Sequence, residues 1–157
     1  MNYSQLCLGC MAPQTGEHAG PHCGRRHDAE PESLLHLPPG TVLEDKYLIG
    51  RVLGQGGFGI TYLAYDLKLH RKLAVKEFFP QGLVSRITGT SQITVYSGDL
   101  KEQYEYGLER FLQEARTLVR FDNHPNIITV RDFFEANGTA YMIMNYVEGL
   151  TLEQYLR

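Results

Sequence analysis

The chain has 157 residues, enough for one modest domain with an appendage, and its 43% hydrophobic content allows a buried core. A formal net charge of −3 leaves no basic excess to neutralise phosphates, which excludes a general nucleic-acid binder. No apolar run reaches membrane-spanning length and "MNYSQLCLGC" lacks the regions of a signal peptide, so a cytoplasmic protein is expected, with reduced cysteines and no membrane contact in this segment.

Residues 1–26 carry all three cysteines, spaced by Gly, Pro and His, with little apolar periodicity. Residues 27–40, ending in Pro-Pro-Gly, read as an acidic, proline-bearing linker. From Thr41 the pattern turns to short β-type runs. "YLIGRVL" and "ITYLAYD" flank a glycine cluster and predict a hairpin, and "KLAVKEFF" predicts a third strand. Between residues 81 and 98, "SQITVYSG" is compatible with a short extra strand; the stretch as a whole reads as a partner-docking element or a plain loop, and the loop is the favoured reading.

"DLKEQYEYGLERFLQEARTLVRF" predicts a helix. Leu108, Phe111, Leu112, Ala115, Leu118 and Val119 recur at three- and four-residue spacing and form one apolar face. Asp99 and Glu102 have the spacing of a capping box at its start. "NIITVRDFFEANGTAYMIMNYV" predicts two strands around an Asn137-Gly138 turn. "GLTLEQYLR" begins another helix, with Thr151 and Gln154 placed to cap it. No internal repeat or low-complexity tract interrupts the pattern.

The chemistry concentrates in "LGQGGFGIT", Leu53 to Thr61. Its glycines let backbone N–H groups approach an anionic oxygen unobstructed. A dinucleotide fold would follow them with a helix, whereas "ITYLAYD" is β-branched and aromatic. A Walker loop would follow them with Gly-Lys-Ser/Thr, which is absent. Lys76 lies in "LAVKEF", and strand alternation puts it on the face of Ala74 and Phe78, opposite Val75. One reading is a solvated lysine. The other is a lysine beneath the glycines, reaching nucleotide phosphates and needing a carboxylate partner. Glu114, flanking the apolar face of the helix, can supply it.

The phrases "LGQGGFGIT", "LAVK", "LPPGTVL", "FLQEARTLVRFDNHPNI" and "GTAYMIMNYVEG" occur in the order found in bacterial serine/threonine protein kinases. Residues 37–157 resemble the N-terminal lobe of that family. The resemblance implies an α+β fold: a twisted five-stranded antiparallel sheet with one long helix, over residues 41–157. It implies that Gly54, Gln55, Gly56, Gly57, Phe58 and Gly59 cover the phosphates of ATP. Lys76 would hold the α- and β-phosphates, oriented by Glu114. Leu53 and Ala74 would sandwich adenine, with Thr61, where the family usually has valine, beside them. Met144 would stand at the back of the pocket, and the backbone of Asn145 and Val147 would meet the adenine edge. In the complete enzyme the partners would be ATP, magnesium and a protein substrate bearing Ser or Thr. The family's His-Arg-Asp and Asp-Phe-Gly motifs, which supply base and metal ligands, do not occur in the sequence. The chain alone is therefore expected not to transfer phosphate, and to expose apolar surface where the second lobe belongs. A non-catalytic, pseudokinase-like interaction module is the alternative.

Cys7 and Cys10 have the C-x-x-C spacing of a tetrahedral metal site, with Cys23 a third ligand. "GPHCG" resembles the second knuckle of a zinc ribbon, although Gly20 stands where a cysteine is expected. His27, ahead of His22 and His18, would complete a zinc site. The competing reading is a degenerate ribbon with three thiols and no metal. His36, His70 and His124 read as solvated or turn residues.

Overall fold

The computed structural model of the protein describes residues 5–14, 23–24 and 31–156. In chain order the strands are β1 (Val42–Leu43), β2 (Tyr47–Gln55), β3 (Gly59–Asp66), β4 (Arg71–Phe78), β5 (Val84–Arg86) and β6 (Ile93–Val95). Helix α1 (Asp99–Val119) follows, then β7 (Val130–Ala136), β8 (Thr139–Asn145) and the short α2 (Leu152–Tyr155). The main sheet is antiparallel throughout, ordered β1-β2-β3-β4-β8-β7. It has six strands rather than the expected five because Val42 and Leu43 fold back on Leu48 and Tyr47 as an edge ribbon.

Alternation along the strands sends Ile49, Ile60, Tyr62, Ala64, Val75 and Ile143 to one face of the sheet, opposite the Lys76 and Phe78 face on which α1 packs, and all of them are buried. Asn137 and Gly138, at φ 55° and 77°, make the expected tight turn between β7 and β8. Helix α1 contributes Tyr104, Phe111, Leu112 and Ala115 to the core. Val119, expected on the same face, is exposed in the last turn.

The start of α1 differs from expectation. Its N-cap is Gly98 at φ 74°, with no side-chain cap, so Asp99 and Glu102 fall inside the first turn and make no capping box. They favour the helix end through its dipole instead. At α2 the expected Thr151–Gln154 capping box is formed.

The segment favoured as a loop is built. Strands β5 and β6 pair as a separate two-stranded sheet, and Arg86 in β5 is buried against Glu77 of β4. Its Nη2 lies 2.7 and 2.6 Å from the two Glu77 oxygens. Its Nε donates to Leu35 O and its Nη1 to Ser91 O. The Tyr62 and Tyr141 hydroxyls donate to the same carboxylate at 2.9 and 3.2 Å. Each nitrogen of this guanidinium therefore has an acceptor, the condition under which a buried charge is tolerated.

The end of the stretch read as linker is also packed. Leu37 is buried and its N–H donates to Tyr62 Oη. His36, expected to be solvated or in a turn, is buried edge-on against Tyr62, with Nε2 2.9 Å from Gln55 Oε1. His70, at φ 52°, and His124 occupy exposed turns as expected. Among the described residues no helix is long and apolar enough to cross a membrane.

Candidate nucleotide site and cysteine knuckle

The hairpin between β2 and β3 carries its glycines at the tip. Gly56 N–H donates to Gly59 O and closes the turn. The carbonyls of Gly57 and Phe58 accept from Gln81 N–H and Phe79 N–H, tying the tip to the end of β4. The amides of Gly57 and Phe58 donate no bond among the described residues. A Cβ on Gly54, Gly56 or Gly57 would meet nothing within 4 Å, so the approach to these amides is open. Gly59 is different: a Cβ there would lie 2.7 Å from Glu77 O, so this glycine lets β3 close on β4.

Register then brings Lys76 under the tip. Thr61 pairs with Lys76 and Leu63 with Ala74, and directly paired residues share a sheet face. Lys76 Nζ lies 3.4 Å from Glu114 Oε1, and 5.7 Å from the centre of the Phe111 ring. Helix periodicity explains the meeting. Gly107, Phe111 and Glu114 lie on one face, and at Gly107 a Cβ would be 2.8 Å from Phe78 Cζ. The missing side chain at Gly107 lets α1 settle on Phe78, two turns before Glu114. Phe78 itself packs between Phe111 and Tyr104, with ring centres 5.5 and 5.4 Å away.

The pair is not a buried structural bridge. The side chains are 33% and 50% exposed, so solvent screens them and a ligand can reach the ammonium. A cleft of about 880 Å³ opens beside it, lined among others by Phe58, Lys76, Phe78, Phe111, Glu114 and Leu118. Phe58, at the hairpin tip, is exposed at its mouth.

On the other side of Ala74 lies β8. Ala74 pairs with Met144 and Leu73 with Asn145. Asn145 N–H donates to Thr129 O. Val147, just beyond β8, is exposed, as are Leu150, Leu152, Tyr155 and Leu156. This is the apolar surface that the sequence anticipates.

The buried carboxylate next to Lys76 was not anticipated. Glu77 points into the core, and burial raises its carboxyl above the ordinary range while the Arg86 guanidinium opposes the shift. Burial likewise raises the phenols of Tyr62 and Tyr141, with the Glu77 charge adding to both. A glutamate immediately after a strand lysine gives one signal in sequence: alternation puts it on the opposite, core-facing side.

The N-terminal segment forms a compact turn. Cys10 N–H and Met11 N–H donate to Cys7 O, and Gly9 N–H lies 3.4 Å from Cys7 Sγ. The sulfurs of Cys7, Cys10 and Cys23 all fall within 4.8 Å of one another, and Cys7 and Cys23 are 3.6 Å apart without a disulfide. Tetrahedral zinc, with Zn–S bonds of about 2.3 Å, sets sulfurs roughly 3.8 Å apart. The donor set therefore fits a soft divalent ion. Burial pushes the Cys7 thiol up to about 11, a cost that a bound cation would reverse. His27, and the weaker candidates His22 and His18, lie outside the described residues.

The protein kinase domain family matches residues 47–157. Serine/threonine-protein kinase PrkC of Bacillus subtilis is 32% identical over 117 residues, which cover 74% of this chain and 15% of that protein. Serine/threonine-protein kinase PknB of Mycobacterium tuberculosis is 37% identical over 114 residues, 70% of this chain and 15% of that protein. The chain thus spans about 15% of the length of these curated relatives. A solved structure described as PpkA-294 in its apo form superposes with a TM-score of 0.71 at 39% identity, covering 76% of this chain and 41% of that one.

Proposed function

Because the chain belongs to the protein kinase domain family and folds as the N-terminal lobe of a bacterial serine/threonine kinase, we propose that it supplies the ATP-binding half of such an enzyme. The observation that carries this is the ammonium of Lys76, set 3.4 Å from Glu114 beneath a hairpin tip with open amides. Phosphate oxygens would take the Gly57 and Phe58 amides, within the loop Gly54, Gln55, Gly56, Gly57, Phe58 and Gly59. Lys76 would hold the α- and β-phosphates while Glu114 keeps its side chain extended. Leu53, Thr61 and Ala74 would enclose adenine, Met144 would close the back, and the Asn145 carbonyl with the Val147 backbone would meet its polar edge.

Magnesium supplies charge neutralisation in phosphoryl transfer. The residues present do not fit the family's magnesium site, since neither His-Arg-Asp nor Asp-Phe-Gly occurs in the 157 residues. Residues 1–157 alone therefore bind nucleotide without transferring phosphate, and the complete kinase would act on Ser or Thr of a protein substrate in the cytoplasm. The cysteine turn is a zinc site held by Cys7, Cys10, Cys23 and His27.

Thermal unfolding with and without millimolar Mg-ATP tests the nucleotide reading. A rise in melting temperature is expected, and none at saturating nucleotide would reject it. Transfer of labelled phosphate by the purified chain at ordinary kinase rates would reject the inactivity. Metal analysis of protein purified without chelator should find close to one zinc per chain. Less than about a tenth of an equivalent would reject the zinc site.

A further inference from the structure

The cysteine turn does not hang free of the sheet. Leu6 and Met11 are buried in a second apolar cluster with Leu48 and Leu63, and Leu53 and Tyr146 pack against the same cluster. Arg51 N–H donates to Leu8 O at 2.9 Å, and Arg51 Nε donates to Gly9 O at 2.9 Å. Both carbonyls lie between Cys7 and Cys10. At Gly50 a Cβ would collide with Leu8 O and Met11 Cε. The turn therefore seats where β2 has no side chain to obstruct it.

The position of this seat decides its consequence. Leu63 pairs with Ala74, so the surface that Leu6 and Met11 cover continues into the wall assigned to adenine. Leu53, two residues after Arg51, belongs to both. Tyr146 lies between Asn145 and Val147, the two backbone positions assigned to the adenine edge. One apolar cluster therefore links the cysteine turn to both sides of the adenine wall.

We propose that the three-cysteine turn is a metal-controlled wall of the nucleotide site: a soft divalent cation bound by Cys7, Cys10 and Cys23 fixes the Leu8–Met11 backbone against β2 and so strengthens nucleotide binding. The proposal rests on the ATP reading proposed above for Lys76, the hairpin and the adenine wall. A cation holding three sulfurs from two parts of the chain cross-links them, and what it fixes includes the two carbonyls that Arg51 grips. Metal then favours the state in which Leu53 is held, nucleotide favours the same state, and the two ligands become reciprocally coupled.

The experiment uses the whole chain under reducing conditions, loaded with zinc or stripped with a chelator, with metal content measured in each state. Nucleotide affinity is read by titration calorimetry. Zinc-loaded protein should bind ATP about fivefold more tightly or better, a typical coupling between sites. Gly50→Ala should abolish the difference by pushing the turn off β2. Arg51→Ala, which leaves all three cysteines and the strand in place, should narrow it while zinc stoichiometry stays unchanged. Equal affinity in verified loaded and stripped protein would overturn the proposal, as would absence of zinc binding. If neither state binds nucleotide, the ATP reading falls. Hydrogen exchange at the Arg51 to Leu53 amides then decides the structural half: slower exchange with zinc supports it, and unchanged exchange overturns it.

Discussion

Lys76 and Glu114 meet across 38 positions of sequence, with Nζ and Oε1 3.4 Å apart and both side chains open to solvent. Solvent screening makes such a pair nearly neutral for stability, and its value lies in where it holds the ammonium. Lys76→Met should change unfolding stability by less than about 1 kcal/mol and remove the Mg-ATP-induced rise in melting temperature. Glu114→Gln should weaken that rise without removing it. Chemical denaturation beside thermal shift separates the two effects. A large loss of stability in Lys76→Met without nucleotide would contradict the assignment.

The neighbouring pair behaves in the opposite way. Arg86 and Glu77 are buried, and removing one partner leaves a desolvated charge. Arg86→Ala should cost about 3–5 kcal/mol by urea unfolding. The double change Glu77→Gln with Arg86→Met should cost clearly less than the sum of the single changes, since it leaves no unpaired charge. Strict additivity would show that the two side chains do not act as a pair.

Alkaline pH should unfold the protein through its tyrosines. Burial first, then the Asp132 hydrogen bond, raises the Tyr47 phenol, and burial followed by the Glu77 charge raises those of Tyr62 and Tyr141. The folded state keeps protons that the unfolded chain releases, so this stability is complete below the unfolded value of about 10 and declines as pH rises above it. Tyr47→Phe should flatten that decline, measured as the denaturation midpoint against pH from 8 to 11, roughly bracketing the ordinary phenol range. An unchanged slope would remove Tyr47 from the account.

Gly107 should resist enlargement. Alanine is the better helix former by about 1 kcal/mol, yet a Cβ would press on Phe78 at 2.8 Å. Gly107→Ala should be destabilising by about 1–3 kcal/mol despite the propensity gain. It should also weaken nucleotide binding by moving α1, and Glu114 with it, off β4. A stabilised variant with intact binding would show that the helix has slack there.

The meeting of Lys76 with Glu114 beneath the hairpin was legible because its parts obey local rules. Glycines followed by a β-branched run select a hairpin over a helix, alternation turns Lys76 toward the cleft, and helical spacing from Phe111 delivers Glu114. Arg86 was not legible for the complementary reason. It stands in a segment without sustained periodicity, and its acceptors, on Leu35, Glu77 and Ser91, are scattered along the chain. The helix begins at Asp99 as expected, but its cap was misassigned because Asp99 and Glu102 have cap spacing, while Gly98 takes a backbone angle that favours glycine. Gly50 looks in sequence like a weak spot in a strand. Only the path of residues 8–11 over it shows why a side chain is excluded.

The seat at Gly50 also orders events during synthesis. Cys7 and Cys10 leave the ribosome well before Gly50, Arg51 and Leu63 exist to receive them. Until β2 and β3 have emerged and paired, the thiols have no partner surface and the nascent segment has nothing to lean on. Capture of the cysteine turn therefore follows assembly of the hairpin it covers, so a segment made earlier is among the last to find its place.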